Sequence, residues 1–159
     1  MLLCDVLVEP LDNRDLEVLS ARIDAKAKIR ELDPWIALFK AIFHPVGVQR
    51  LRIGIDPGST CAIAIYADNI LVWVEKTDCR SIPSKIRWII NVTQPKDYII
   101  NIGSGTGYDI VAESLLREGI AFTIVPEEGT SRRQHILKLR GIVRDKDIQA
   151  AMALALYYE

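Results

Sequence analysis

The sequence has no long apolar run, no closely spaced cysteine pair and no excess of charge of one sign. No stretch approaches the roughly 20 apolar residues that a bilayer-spanning helix needs, so we expect neither membrane insertion nor a targeting peptide. The 3 cysteines predict neither a zinc ribbon nor a disulfide framework and favour a reducing cytoplasm. The formal net charge of -1 indicates no particular partner.

The composition is typical of a globular protein, since 50% of the 159 residues are hydrophobic and 26% are charged. A chain of this length forms one principal core. The pattern of apolar residues changes near residue 49. We therefore divide the chain into an N-terminal helical extension, residues 1–48, and a main domain, residues 49–159.

The extension has helical patterns and no recognisable pattern of catalytic or ligand-binding residues. After a short strand that ends at Val8, an amphipathic pattern predicts a helix to about Leu32, and Asp33-Pro34 indicates the start of a second helix. Trp35 and Phe39 lie at helical spacing, which is more typical of core residues than of a stacking surface. We expect the extension to cover a sheet edge or to contact a second copy of the chain in a homodimer.

The main domain begins with short apolar runs that are separated by turn residues. The first three runs predict antiparallel strands, with Ala67-Asp68-Asn69 as a hairpin turn. Alternating helices and strands follow, which predicts an α/β fold with a mixed sheet flanked by helices. The predicted strands are residues 51–55, 61–66, 70–75, 98–102 and 120–125, and the predicted helices are residues 81–92, 108–118, 131–139 and 145–158.

Acidic residues follow two of the predicted strands. Asp56 comes directly after the first strand and precedes Pro57-Gly58, so its carboxylate belongs either to turn chemistry or to a functional site. Glu127 follows the last strand. If that strand is parallel to the first, as the preceding β-α-β unit indicates, both acids lie at the same edge of the sheet, where ligands tend to bind.

The last predicted helix opens with two more acids. Asp145 is interpreted as the helix N-cap, and Asp147 as the acid that faces a site, because Ala150 and Ala151 are small enough to let the helix approach the sheet. Carboxylates that converge from strands and a helix suit Mg²⁺ or Mn²⁺. Two such ions about 4 Å apart stabilise the attacking water and the leaving oxygen of a phosphodiester.

These segments, in this order, resemble the RuvC and YqgF branch of the ribonuclease H-like superfamily. Ile53-Gly54-Ile55-Asp56-Pro57-Gly58-Ser59-Thr60 is similar to the first-strand motif of RuvC Holliday-junction resolvases, and Asp147-Ile148-Gln149-Ala150-Ala151 to the Asp-x-x-Ala-Ala helix of YqgF proteins. Ile102–Gly107 resembles the glycine-rich loop of YqgF, and Val125–Ser131 its Val-Asp-Glu-Arg-Leu-Thr-Ser segment. The resemblance covers about two thirds of the chain.

The resemblance implies a metal-dependent nuclease that acts on structured DNA or RNA, with Mg²⁺ or Mn²⁺ held by Asp56, Glu127 and Asp147 as catalytic residues. RuvC resolvases carry a glutamate at the end of the fourth strand, where this chain has Asn101 to Ser104 and no acid. Junction resolution and catalysis itself are therefore left open. The alternative is a ribonuclease H-like scaffold that binds nucleic acid or a protein without cleavage.

A basic stretch between Ser131 and Lys146 contains a single acid, Asp145. Such a stretch contacts phosphates without reading bases, although a solvated helix face would have the same composition. The candidate nucleic-acid-binding residues are Arg132, Arg133, Lys138, Arg140, Arg144 and Lys146.

Two other families share single segments with this chain. Tyr98 to Gly107, followed by a helix and a strand that ends at Glu127, resembles the cofactor-binding segment of S-adenosylmethionine-dependent methyltransferases. That fold needs several more strands than the remaining residues provide. Asp56 to Thr60 also resembles the first phosphate motif of actin-like kinases and ATPases, which close two such halves over a nucleotide, whereas this chain has one copy.

Overall fold

A computed structural model describes residues 2–9, 23–30, 33–43, 46–126 and 143–157. The chain divides into two compact units, of which the first comprises Met1–Val48 with Ile89–Gln94 and the second comprises Gln49–Trp88 with Pro95–Glu159. Within the described ranges, no helix has the length and apolarity needed to cross a membrane.

The described residues form both strands and helices. The strands are β1 (Leu2–Glu9), β2 (Ile23–Arg30), β3 (Arg50–Asp56), β4 (Cys61–Ala67), β5 (Ile70–Thr77), β6 (Asp97–Gly103) and β7 (Thr123–Val125). The α-helices are α1 (Pro34–Ile42), α2 (Ile82–Thr93), α3 (Tyr108–Arg117) and α4 (Lys146–Ala155), and a short 3₁₀ turn (Cys79–Ser81) precedes α2.

The second unit is built on a mixed five-stranded sheet in the order β5-β4-β3-β6-β7. The β3-β4 and β4-β5 pairs are antiparallel, and the β3-β6 and β6-β7 pairs are parallel. The predicted antiparallel hairpins and the parallel strands that follow them are confirmed. This α/β sheet with flanking helices is consistent with the ribonuclease H-like and actin-like ATPase type of fold.

The hairpin between β4 and β5 is tight because two non-glycine residues adopt positive φ angles. Asp68 has a φ of 47° and Asn69 a φ of 72°. Asp and Asn tolerate this left-handed region better than most residues, and two successive positive φ angles match the right-handed twist of hairpin strands. The turn thereby fixes the β4-β5 pairing that the sequence predicts.

Helix α4 packs closely on one face of the sheet, at Gly54 of β3. A Cβ atom at Gly54 would lie under 3.0 Å from backbone atoms of Ala151, Leu154 and Ala155, so only glycine fits there. Side chains of alternate strand residues share a face, and the apolar cluster under α4 is formed from β4 and α4. Its members are Ala62, Ala64, Tyr66, Ala151, Met152 and Ala155.

The opposite face of the sheet has larger apolar residues. Ile53, Ile55 and Ile63 are fully buried there, and Ile82 and Ile86 of α2 are also fully buried. The two faces thus differ in character: small residues let α4 approach one face closely, while branched residues fill the core on the other.

In the first unit, the predicted helix to Leu32 is wrong for residues 23–30. These residues form β2, which pairs in parallel with β1, so this extension is not wholly helical. Ile23, Ala25, Ala27 and Ile29 alternate with charged residues along the sequence. A period of two favours a strand over the helix that the broader apolar stripe suggested.

The second predicted helix of the extension is confirmed as α1. Its N-cap is Asp33, whose carboxylate accepts hydrogen bonds from the backbone N of Trp35 (2.8 Å) and of Ile36 (3.2 Å). Phe39 is buried as expected, but Trp35 is 47% exposed, so its assignment to the core is wrong.

Two of the three cysteines form a disulfide, contrary to the sequence expectation. Cys61 at the start of β4 is bonded to Cys79 in the 3₁₀ turn, across a sequence separation of 18. Their spacing has no recognisable motif, so only the hairpin brings them together. The expectation of a reducing cytoplasm depends on the absence of paired cysteines. Because disulfides are rare in that compartment, the Cys61–Cys79 bond removes the support for this expectation.

Candidate functional site

The candidate site lies at the carboxyl end of β3, on the face covered by α4. Asp56 is the last residue of β3 and is half-buried. It shares a face with Gly54 because the two positions are separated by one residue. A Cβ atom at Gly103, the last residue of β6, would lie 3.7 Å from Oδ1 of Asp56 and 3.3 Å from Cδ1 of Leu154, so the neighbouring parallel strand ends beside this carboxylate.

A row of three paired residues crosses the sheet at this level. Asp56 pairs with Ala62 of β4, and Ala62 pairs with Lys76 of β5. Neighbouring strands lie about 4.8 Å apart, so the Cα atoms of Asp56 and Lys76 are roughly 10 Å apart. Because Ala62 is small, no bulky side chain stands between the carboxylate and the lysine.

Lys76 connects this row to the first turn of α4. Its Nζ lies 2.5 Å from Oδ2 of Asp147 and 3.3 Å from Oδ2 of Asp145. The hydrogen bond to Asp147 is the main reason that the pKa of Lys76 is raised. The structure describes two of the predicted site residues, Asp56 and Asp147. Both lie on the same face of the sheet and near the same end of it, and Lys76 contacts Asp147.

Asp145 caps α4, as the sequence predicts. Its Oδ1 accepts hydrogen bonds from the backbone N of Asp147 (3.0 Å) and of Ile148 (3.2 Å). The bond from Ile148 is the main reason that the pKa of Asp145 is lowered, and Lys76 adds to the effect. The cap fixes the first turn of α4 and hence the backbone position of Asp147.

The position at which RuvC resolvases have a fourth-strand acid is occupied in this region by a structural amide. Asn101 of β6 is 3% exposed, and its Nδ2 donates to the backbone O of Leu154 (2.8 Å) and of Tyr157 (3.2 Å). These carbonyls lie at the C-terminal end of α4, where the carbonyl of Leu154 also accepts a hydrogen bond from the backbone N of Tyr157 (3.1 Å). Asn101 thus holds the far end of the helix, and it contributes no charge to the site.

The remaining predicted site residues are only partly covered by the structure. Glu127, Arg132, Arg133, Lys138 and Arg140 lie outside the described residues. Arg144 and Lys146 are described, and both are exposed next to the Asp145 cap. Among the described residues, no group of three or more His, Cys, Asp or Glu side chains is placed to hold a metal ion.

Lys76 was not among the residues predicted from the sequence. A charged residue near the end of an edge strand is common, because such residues discourage edge-to-edge pairing. Its partner Asp147 is 71 residues away in the sequence. The available signal was the alternation along β5, which places Lys76 on the same face as Ala62 once the hairpin register is known.

The described donors fit a divalent cation in chemistry. Asp56 and Asp147 supply carboxylate oxygens, which are the ligands that Mg²⁺ prefers, and Mg²⁺ usually keeps several waters. Lys76 is the opposing feature, because a cation that binds Asp147 must displace the ammonium group.

Comparisons with known proteins find little. No protein-family model and no curated protein matches the chain. Among solved structures, the chain is similar to a protein from Bacteroides thetaiotaomicron with an actin-like ATPase fold and unknown function, with 8% identity and a TM-score of 0.36. The match covers 70% of this chain and 44% of that chain. A similarity at this level supports no functional assignment.

Proposed function

We propose that the protein is a ribonuclease H-like, metal-dependent phosphodiester hydrolase of the RuvC and YqgF type that acts on structured DNA or RNA. The observation that carries this proposal is the close approach of α4 to Gly54. Together with the contact of Asp147 with Lys76, it supports a common site for Asp56 and Asp147 on this face of the sheet. Ligands of open α/β sheets bind at this edge.

In this proposal, Asp56 and Asp147 hold Mg²⁺ or Mn²⁺ together with Glu127. The chemistry that such an ion would supply is a nucleophilic water and polarisation of the phosphodiester. Lys76, whose Nζ contacts Asp147 in the structure, would instead donate a charge-assisted hydrogen bond to a phosphate oxygen in the metal-bound form. Arg144 and Lys146, exposed beside the helix start, contact neighbouring phosphates and supply affinity without base specificity.

The test compares the wild type with Asp56→Asn in Mn²⁺ calorimetry and in cleavage of branched and structured DNA and RNA. We expect Asp56→Asn to abolish metal binding and cleavage. Its stability should be unchanged or slightly raised, because the site loses repulsion between like charges. Asp109→Asn is the control, since it removes one carboxylate from the first turn of α3 and leaves Asp56, Glu127 and Asp147 unchanged.

Two results would refute the nuclease proposal. One is a wild type that neither binds divalent ions nor cleaves any substrate in their presence. The other is an Asp56→Asn variant that fails to fold, because that would indicate that the carboxylate of Asp56 stabilises the turn at Pro57-Gly58 instead of serving a site.

A second candidate function is a non-catalytic scaffold for nucleic acid or a protein. The Lys76 ion pair favours it, because an ammonium group already neutralises Asp147 in the way a metal would. If the protein is a scaffold of this kind, we expect its affinity for nucleic acid to be unchanged by a chelator and by Asp56→Asn. The methyltransferase alternative is less favoured, because the described sheet begins with an antiparallel hairpin and has five strands.

A further inference from the structure

A second concave site lies on the sheet face opposite Asp56. It is a pocket of about 300 Å³ within the second unit, at the lower end of the size range of small-molecule sites. We call it the tryptophan pocket. Its lining residues are Ile63 and Ile65 of β4, Trp73 and Glu75 of β5, and Ser84, Lys85 and Trp88 of α2.

The pocket combines an apolar floor with two indole rings. Ile63 and Ile65 are buried beneath it. Trp73 and Trp88 are half-buried and meet edge to face, with ring centroids 5.7 Å apart. Flat, partly exposed aromatic rings above a branched aliphatic floor favour a planar ligand, which can stack on an indole at small entropic cost.

A single charged pair supplies most of the polarity of the pocket. Nζ of Lys85 donates to Oε1 and Oε2 of Glu75, at 2.9 Å each, and Nε1 of Trp73 donates to Oε2 at 3.2 Å. An ammonium group has three donors and a carboxylate about four acceptor sites. Counted over the described part of the chain, these contacts use two of three donors and three of about four acceptor sites, so one donor and one acceptor of the pair remain for a ligand.

The charges restrict the ligand further. Lys85 disfavours a cationic group in the pocket, and Glu75 disfavours an anionic one. The hydrogen bond from Lys85 lowers the pKa of Glu75, so the carboxylate is ionised at neutral pH and the two side chains form an ion pair. The pocket therefore suits a neutral, planar ring whose edge has an acceptor next to a donor.

We propose that the tryptophan pocket binds a nucleobase, which stacks on an indole ring and pairs its donor-acceptor edge with Glu75 and Lys85. Nucleobases are neutral planar rings with adjacent donors and acceptors on their edges. Glu75 faces this pocket, and its neighbour Lys76 faces the Asp56 side, so the two sites meet at strand β5. The proposal goes beyond the nuclease proposal and does not depend on metal or cleavage.

The test is a fluorescence titration in the presence of chelator, so that metal chemistry plays no part. The chain has 3 tryptophans, and a Trp35→Phe background leaves emission from Trp73 and Trp88 only. The ligands are the nucleoside 5′-monophosphates, ribose 5-phosphate and tetramethylammonium. We expect saturable quenching by at least one nucleotide and none by ribose 5-phosphate or tetramethylammonium.

Three variants locate the binding. Trp88→Leu keeps an apolar side chain but removes the stacking surface, and should weaken binding about tenfold or more. Lys85→Met removes the donor and should weaken it roughly two- to tenfold. Glu75→Gln should change the order of preference among the bases. Lys96→Met, an exposed lysine outside the pocket, is the control and should leave the affinity unchanged.

The outcomes separate the possible sources of the base. Tighter binding of a short single-stranded homo-oligomer than of the matching nucleotide indicates a base within a nucleic acid, and equal or weaker binding indicates a free nucleotide. Both support the proposal. Absence of saturable quenching, equal quenching by ribose 5-phosphate or tetramethylammonium, or unchanged affinity in Lys85→Met would overturn it, even if Trp88→Leu does not fold. The same titration on Asp56→Asn should match the wild type, so failure of the nuclease proposal leaves this result intact.

Discussion

Nζ of Lys76 lies 2.5 Å from Oδ2 of Asp147, although the two residues are 71 positions apart in the sequence. The pair joins the edge strand β5 to the first turn of α4. The side chains of Lys76 and Asp147 are 36% and 50% exposed, so water and ions reach the contact. Solvent screens such a pair, which makes an exchange of the ammonium group for a metal ion feasible.

The first prediction concerns that exchange. In Lys76→Met, no ammonium group competes for Asp147, so we expect Mn²⁺ to bind more tightly, by up to about fivefold. Isothermal titration calorimetry measures the change. Lys146→Met is the control, because Lys146 is also exposed in this region. Weaker metal binding in Lys76→Met than in wild type would contradict the exchange and indicate that Lys76 positions Asp147 for the ion.

The second prediction separates the cap from the charge at Asp145. Asparagine is as good an N-cap as aspartate, whereas alanine removes the side-chain acceptor for the amides of Asp147 and Ile148. We expect Asp145→Asn to keep a Tm near that of wild type and Asp145→Ala to lower it measurably, as followed by circular dichroism. Equal losses in both variants would mean that the charge near Lys76 matters more than the cap.

The third prediction concerns the disulfide. Cys61 and Cys79 close a loop with a sequence separation of 18, and a cross-link of this span stabilises the folded state by about 3 kcal/mol in the chain-entropy model. We expect a reductant to lower the free energy of unfolding by about this amount in denaturant titrations, with two additional thiols appearing on reduction. Cys4→Ala should keep the effect and Cys79→Ala should lose it. An unchanged thiol count would show that the bond does not form in solution.

The main domain was predictable because its signals are local. The turn residues Asp68 and Asn69 set the hairpin, Gly54 and Ala151 permit the helix contact, and Asp145 caps α4 by the usual rules for a first turn. Each of these features depends on residue types within a few positions or on one shape requirement. Such features determine the type and order of secondary-structure elements more reliably than they determine which distant residues come into contact.

The features that were missed depend on contacts between distant segments. Strand β2 pairs with β1, whereas the helical spacing of the apolar residues in this segment predicts a helix and does not indicate the pairing. Lys76 meets Asp147 only after the hairpin register and the docking of α4 are both set. Cys61 and Cys79 meet through the same hairpin. Alternation along β2 and β5 indicates strands and their faces, but it does not indicate which distant segment each of these residues meets.

The fourth prediction is a pH dependence that originates in Glu75. The hydrogen bond from Lys85 lowers the pKa of Glu75 below its ordinary value of 4.5. A carboxyl group whose pKa is lower in the folded state stabilises the fold above its unfolded pKa, and the contribution is lost as the pH falls through the folded value. Wild type should therefore be more stable than Glu75→Gln at neutral pH, and the Tm difference should close well below pH 4.5.

Glu113→Gln is the matched control for this pH effect. Glu113 is also paired with a basic residue, Arg117, but the two side chains are 69% and 79% exposed. Solvent screening should make its Tm difference at neutral pH smaller than that of Glu75→Gln. A Glu75→Gln difference that persists unchanged in acid would assign the stability to packing in the tryptophan pocket instead of to the ionised pair.

The last prediction links the fold to the candidate site through Gly54. A methyl group in Gly54→Ala would overlap the backbone of α4, which cannot give way as a flexible side chain would, so the helix must move off the sheet. Overpacking of this kind costs about 3 kcal/mol. Gly58→Ala is the control, because its nearest neighbour would be the Thr60 carbonyl at 3.2 Å.

The consequence for function follows from the position of Asp147. If α4 lifts at Gly54, the first turn of the helix moves away from Asp56 while both carboxylates remain in the chain. Gly54→Ala should therefore lose Mn²⁺ affinity under conditions in which circular dichroism shows that it is folded, and Gly58→Ala should retain more of it. Unchanged metal affinity in a folded Gly54→Ala protein would mean that Asp147 does not act with Asp56, and the proposed site would then depend on Asp56 and other ligands.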